Sequence, residues 1–305
     1  PPMSSAASPD QVGGQTPKAF QPRIFSGIQP SGGITLGNYL GALKRFVEKQ
    51  DEGIETVYCL VDMHAITVWQ DPEKLRQQTR EGAAAFLAAG IDPKRSILFN
   101  QSQVSAHAEL GWIFSCIARM GWMSRMTQWK DKTAGKNAEA ASLGLFAYPA
   151  LMAADILVFN AHKVPVGRDQ IQHIEMARDF GQRFNHLYGD NLVLPEAAVE
   201  EHVATLPGLD GRKMSKSYDN TIPLFCSREQ LKKLIFSIVT DSRAPGEAKD
   251  TEGSALFQLY QAFASTEETN AMRAAFADGI GWGDAKQMLF ERIDSELSPM
   301  RERYN

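Results

Sequence analysis

The stretch Arg23-Ile24-Phe25-Ser26-Gly27-Ile28-Gln29-Pro30-Ser31-Gly32-Gly33-Ile34-Thr35-Leu36-Gly37-Asn38 decides the fold. Residues 23–28 form a short apolar run that reads as a strand. The Gly/Pro/Ser cluster after it reads as a turn, and 38–48 carry helical spacing. Such a turn lets backbone amides approach a ligand closely, and the positive end of the following helix attracts phosphate. Glycine-rich turns are common, so this feature alone also fits a plain tight turn. The alternation continues outward: residues 55–61 are β-rich, and Asp71-Pro72 opens a helix with Asp as N-cap and Pro at the first helical position. That helix passes through the alanine-rich 82–89 and stops at Gly90, and 96–99 reads as a buried strand. Strand-helix repetition at this spacing predicts an α/β fold with a Rossmann-like, doubly wound parallel sheet.

After Gly211 the pattern changes. Ser227-x-x-Gln230 and Ser265-x-x-Glu268 have the form of capping boxes, and Leu256, Leu259, Tyr260 and Phe263 recur at helical spacing. A smaller all-helical C-terminal domain is expected. The division is 1–21 as a disordered leader, 22–210 as the catalytic domain, and 211–305 as a lysine-serine loop plus the helical domain. The composition shift at Leu206-Pro207-Gly208-Leu209-Asp210 marks the expected hinge.

A chain of 305 residues, 43% apolar, suits one large core plus a smaller domain, and no apolar run is long enough to span a membrane. Cys59, Cys116 and Cys226 lie far apart, which argues against disulfides or a structural zinc and suits a reducing cytoplasm. The histidines show no metal-ligand spacing. A net charge of −4 excludes a globally basic nucleic-acid binder, yet local basic clusters remain at Lys130/Lys132/Lys136, Arg212/Lys213/Lys216 and Lys232/Lys233. Each is as readily a solvated face as an RNA contact.

The chemistry is carried by two separated segments. Lys213-Met214-Ser215-Lys216-Ser217 matches the second signature of class I aminoacyl-tRNA synthetases without a change. Thr35-Leu36-Gly37-Asn38 resembles a variant of the first, His-Ile-Gly-His, with Thr and Asn able to donate hydrogen bonds to phosphate. Five further segments resemble the bacterial tryptophanyl-tRNA synthetase family, in family order. They are 25–32, 61–67 (Val-Asp-Met-His-Ala-Ile-Thr), 126–130 (Met-Thr-Gln-Trp-Lys), 148–155 (Tyr-Pro-Ala-Leu-Met-Ala-Ala-Asp) and 164–170 (Val-Pro-Val-Gly-Arg-Asp-Gln).

In a helix beginning at Pro149, Tyr148, Met152 and Asp155 share a face. An indole needs an apolar slot with one acceptor, because its nitrogen only donates. From the residues alone Asp155 is more readily a solvent-facing aspartate; the resemblance assigns it to the indole nitrogen. The resemblance further implies Phe25, Gly27, Met152, Val164 and Val166 around the ring, Tyr148 and Gln170 at the amino group, and His64 near the carboxylate or indole edge. For ATP it implies Gln29, Pro30, Ser31, Gly37 and Asn38 on one side, Gly167, Arg168 and Asp169 at the ribose, and Met214 near adenine. Lys213, Ser215, Lys216 and Ser217 complete that set.

The implied reaction is ATP-dependent activation of L-tryptophan to the adenylate, then transfer to the 3′ end of tRNA(Trp). Lys213, Lys216 and Lys132, with Thr35 and Asn38, neutralise and align the phosphates, and Mg²⁺ is held by ATP oxygens rather than by a protein metal site. A homodimer is implied by resemblance only. Two departures stand out. Arg168 occupies a position where an acidic residue is expected, and relatives continue for another helical stretch beyond Asn305. Three alternatives stay open: a tyrosyl-tRNA synthetase, a nucleotidyltransferase of the same superfamily acting on a small acid, and a non-catalytic paralogue that binds tryptophan or tRNA.

Overall fold

The computed structural model describes residues 22–134, 139, 141–199 and 205–305, apart from the side chains of Lys132 and Asp169. The leader expected at 1–21 lies outside the described residues. Five strands, β1 (Arg23–Ile28), β2 (Glu55–Leu60), β3 (Ile97–Asn100), β4 (Lys163–Val166) and β5 (Glu196–Val199), form one sheet in the order β3-β2-β1-β4-β5. Every pairing is parallel, with Phe25 opposite Val57 and Val164 opposite Ala197. The chain builds outward from β1 to β3, then returns to β1's other edge for β4. The crevice between β1 and β4 is therefore the topological switch point, where ligands of such sheets bind beyond the strand ends.

Helices cover both faces: α1 (Leu36–Asn38), α2 (Lys44–Asp51), α3 (Asp62–Ala65), α4 (Pro72–Ala89), α5 (Ala106–Ile117), α6 (Met120–Ser124), α7 (Thr127–Thr133), α8 (Leu143–Leu157) and α9 (Ile171–Tyr188). A π-helical turn, Tyr39–Leu43, joins α1 to α2. The period-two alternation of β2 sorts its side chains. Tyr58 and Leu60 enter one apolar cluster with Leu43, Phe46 and Phe86, whereas Val57 and Cys59 enter the other with Phe114, Leu157 and Phe180. The helices α10 (Arg228–Phe236), α11 (Ala255–Phe263), α12 (Thr266–Ala277) and α13 (Trp282–Tyr304) extend the first cluster through Leu231, Leu256, Phe276 and Leu289. The helical half thus shares a core with one face of the sheet. Tyr39 Oη donates to Glu296 of α13 at 2.8 Å, and Arg303 Nε donates to the Ala88 carbonyl at 2.9 Å.

Several expectations need correction. The helix bearing Asp155 starts at Leu143, where the Ser142 hydroxyl accepts from the Leu145 amide, so Pro149 sits inside it. The third strand is an edge strand whose Ile97 is 51% exposed, and β5 was not foreseen. Ser227 caps α10 from one side only, whereas Ser265/Glu268 and Thr35/Asn38 form reciprocal boxes. The segment 206–210, where a hinge is expected, forms a turn. Leu209 N donates to Asn220 O, and a Cβ on Gly208 would lie 2.2 Å from the Asn220 side chain.

Candidate active site

The ends of β1 and β4 and the inner face of α8 enclose a cavity of about 290 Å³. Phe25, Gly27, Met152, Val164 and Val166 line it, together with Val61, Ile156 and Ile174. The glycine follows from close packing: a Cβ on Gly27 would meet Val61 Cγ1 at 2.9 Å. His64, Tyr148, Asp155, Gln170 and Gln29 also reach the cavity, so the residues expected around tryptophan are brought to one place.

Asp155 is only 2% exposed, which excludes the solvent-facing alternative. Its Oδ1 accepts from Gln101 Nε2 at 2.7 Å and His107 Nδ1 at 2.6 Å, and its Oδ2 accepts from His64 Nε2 at 2.6 Å. A carboxylate only accepts, so both imidazole nitrogens facing it are donors. Burial, the largest influence, pushes the Asp155 carboxyl up, but the hydrogen bonds and charges of His107 and His64 outweigh it and hold the pKa below its ordinary value. Oδ1 has two donors and Oδ2 one, which leaves Oδ2 able to accept one more. His64 is therefore a partner of Asp155, packed edge-on to Tyr148 with ring centroids 6.0 Å apart.

Sequence reasoning missed His107 and Gln101. His107 is fully buried between Phe99 and Phe159, and its Nε2 has no hydrogen-bond partner. A histidine at helical spacing in an apolar segment carries no signal of its own. His173 and Gln128 were also missed: Tyr148 Oη donates to Gln128 Oε1 and lies 3.1 Å from His173 Nε2. Burial raises the Tyr148 pKa to about 12, so the phenol stays protonated.

The residues expected at phosphate lie at the β1–α1 turn. Gly32 adopts φ +82°, where a side chain is strained, and a Cβ there would touch Lys216 Cδ at 2.9 Å. Lys216 Nζ donates to the Ser31 carbonyl at 2.8 Å, so the lysine-serine loop already meets the first glycine turn. Desolvation lowers the Lys216 pKa. Met214 faces the start of α1, with its Sδ 3.5 Å from where a Gly37 Cβ would sit. Ser215 caps the short 3-10 turn Lys216–Tyr218 by accepting from the Ser217 amide.

Thr35 is engaged within its own helix. It is 6% exposed and its hydroxyl oxygen caps α1 by accepting from the Asn38 backbone amide at 3.3 Å, while the hydroxyl proton goes to Asn38 Oδ1 at 3.1 Å and the Asn38 side-chain nitrogen keeps its donors. Pro30 O accepts from Gly33 N and Gly167 O from Gln170 N, which shapes both turns, and Arg168 is exposed. Lys213 is exposed at the loop. The Lys132 and Asp169 side chains lie outside the described residues. Among the described residues no cluster of three or more His, Cys, Asp or Glu could hold a metal, and no helix is long and apolar enough to cross a membrane.

Comparison with known proteins follows the same lines. Residues 18–298 match the family described as tRNA synthetases class I (W and Y). The tryptophan–tRNA ligase of Xanthomonas campestris pv. campestris is 58% identical over 92% of this chain and 67% of its own length. That of Pseudomonas aeruginosa is 51% identical over 92% of this chain and 65% of its own length. The chain therefore spans about two thirds of the length of these curated relatives. A crystal structure of tryptophanyl-tRNA synthetase from Campylobacter jejuni, complexed with ADP and tryptophan, superposes with a TM-score of 0.85 at 44% identity. It covers 93% of this chain and 88% of that one. The chain belongs to the class I tRNA synthetases of the tryptophan and tyrosine type, among the bacterial-type tryptophanyl-tRNA synthetases.

Proposed function

We propose that the chain activates L-tryptophan with ATP and passes the aminoacyl group to tRNA(Trp). The observation that carries the specificity is the buried Asp155 carboxylate, fixed by three donors and left with one acceptor position in a cavity lined by both apolar and polar side chains. An indole N–H satisfies that acceptor, and Phe25, Gly27, Met152, Val164 and Val166 wall the ring. Tyr148 and Gln170 hold the amino group. The carboxylate then points toward the Gly32 turn.

The tryptophan carboxylate attacks the α-phosphorus, a new P–O bond forms, and the bond to pyrophosphate breaks. No protein nucleophile is needed. Lys216, beside Ser31, and Lys213 of the same loop offset the charge developing on pyrophosphate, and Lys132 is a third candidate. Asn38 donates to phosphate through its side-chain amide, and Thr35 positions it. Gln29, Pro30, Ser31 and Gly37 line the ATP path on one side, Gly167, Arg168 and Asp169 on the ribose side, with Met214, Ser215 and Ser217 on the closing loop. Mg²⁺ would be held mainly by ATP oxygens and would offset part of the phosphate charge. The 3′-terminal hydroxyl of tRNA attacks the adenylate carbonyl and AMP leaves.

The division into a catalytic domain at 22–210 and a loop with a helical domain at 211–305 belongs to this reading. So do a cytoplasmic location and a homodimer. Support for the dimer comes from large apolar side chains left exposed, Trp69 at 84%, Trp112 at 72% and Leu143 at 79%. Charging of tRNA(Trp) with labelled tryptophan, alongside tryptophan-dependent exchange of pyrophosphate into ATP, tests the function. Exchange without charging would restrict the reading to the first half-reaction, and neither activity would overturn it.

A further inference from the structure

The loop bearing Lys213 and Lys216 is tied by a backbone bridge, Met214 N donating to Leu206 O at 2.7 Å, and by one buried side chain on its other side. Asn220 is 2% exposed, and its Nδ2 donates to Asp210 Oδ1 at 2.7 Å and to the Lys213 carbonyl at 3.0 Å. Its Oδ1 accepts from the Ser215 amide at 2.8 Å, and its own carbonyl accepts from Leu209 N at 3.0 Å. Both hydrogens of the amide and its oxygen are thus used to span the turn before the motif and two points inside it. Only glycine fits opposite, since a Cβ at Gly208 would overlap the Asn220 amide. Asp219, at φ +50°, supplies the left-handed step that turns Asn220 inward. Asp210 is fixed in turn by the Arg212 amide at 3.1 Å and the Arg212 guanidinium at 2.6 Å, and that guanidinium stacks on Tyr218 at 4.2 Å.

We propose that Asn220 is a positioning residue for adenylation: its amide latches the Lys213–Ser215 backbone to Asp210, so that Lys216 meets the Gly32 turn. The inference rests on the adenylation reading above. It has a chemical signature, because the latch needs a donor facing Asp210. In Asn220→Asp a carboxylate would face both the Asp210 carboxylate and the Lys213 carbonyl, three acceptors with no proton between them. The charged and titratable groups around it are Asp210, Arg212, Lys213, Lys216, Tyr218 and Asp219. Two carboxylates in contact share a proton at a raised pKa, so acidification restores one donor.

The test is tryptophan-dependent pyrophosphate exchange by Asn220→Asp from pH 6 to pH 8.5, expressed as a ratio to the unsubstituted protein at each pH. The ratio cancels any alkaline loss from the lysines themselves. We expect kcat to fall by about tenfold or more at pH 8, with the ratio recovering toward pH 6 and the tryptophan KM within about twofold. The double variant Asp210→Asn/Asn220→Asp exchanges donor and acceptor, and its ratio should rise and lose its pH dependence. A flat ratio, or a double variant no better than the single one, would overturn the latch. If Asn220→Asp does not fold, Asp210→Ala takes its place: a lower kcat at constant tryptophan KM supports the latch, and an unchanged kcat overturns it. Absence of exchange in the unsubstituted protein would instead remove the adenylation reading.

Discussion

Replacing His107 with Leu tests how the buried carboxylate is kept charged. The histidine donates Nδ1–H to Asp155 at 2.6 Å, with the two residues 0% and 2% exposed. A hydrogen bond to a charged group contributes about 1.5–3 kcal/mol. Leucine suits the niche between Phe99 and Phe159, and the lost Nε2 had no hydrogen-bond partner, so no other polar group is stranded. The melting temperature should therefore drop by roughly 2–5 °C, at about 1.6 °C per kcal/mol for an unfolding entropy of about 2.1 cal/mol/K per residue over 305 residues. In the unsubstituted protein the Asp155 pKa is depressed. Its contribution to stability is present above the unfolded carboxylate pKa of about 3.9 and is lost as pH falls through the lower folded value, so it is constant from pH 5 to pH 8. Without His107, burial is opposed only by His64 and Gln101, and the folded pKa moves up. The stability deficit should then be greater at pH 8 than at pH 5. Tryptophan affinity should behave oppositely, weakening toward pH 5 as the acceptor gains a proton. Calorimetric melts and titration calorimetry at pH 5, 6.5 and 8 read both. A melting temperature unchanged within about 1 °C, with affinity parallel to the unsubstituted protein at every pH, would refute the reasoning.

Lys216→Ala should lower the pyrophosphate exchange rate by about 10²–10³-fold, the usual loss for one charge-stabilising donor, with tryptophan affinity unchanged by calorimetry. Desolvation lowers the Lys216 pKa, so the exchange rate should fall on the alkaline side below the ordinary lysine range, and that limb should be missing in the variant. Gly32→Ala forces a side chain into φ +82° against the Lys216 stem; it should cost about 1–2 kcal/mol in thermal melts and slow exchange more than it weakens tryptophan binding. Tyr39→Phe removes the 2.8 Å bond to Glu296, which keeps Lys44 at 3.0 Å, so denaturant unfolding should show a loss of about 1 kcal/mol.

Periodicity and caps made the architecture legible. The Asp71 cap, Pro72 and the left-handed Gly90 bound α4 where the residues place them. The β1 strand and its glycine turn stand at the switch point that strand-helix alternation requires. Long-range pairing was less legible. Ile97 belongs to a run apolar enough for a buried strand, yet its position at the sheet edge leaves it exposed. In the site, the family resemblance pointed to Asp155, which residue type alone left as a solvent-facing aspartate, and neither revealed the set of donors that hold it. Gln101, His107 and His64 come from three separate elements that only the fold brings together. Asn220 was invisible for the same reason: an asparagine after a lysine-serine loop looks like a turn residue until its partners at Asp210, Lys213 and Ser215 are seen. The two signatures were read as phosphate ligands, whereas Thr35 also closes a capping box on Asn38, a local use that competes for the same hydroxyl.

The most direct test of the whole account is pyrophosphate exchange with three amino acids in parallel: tryptophan, tyrosine, and the tryptophan analogue in which sulfur replaces the indole N–H. The account predicts exchange with tryptophan, little with tyrosine, and a loss of about two orders of magnitude or more with the sulfur analogue, because Asp155 Oδ2 would then face a ring with no donor. Equal exchange with the sulfur analogue, or exchange with tyrosine in place of tryptophan, would contradict it.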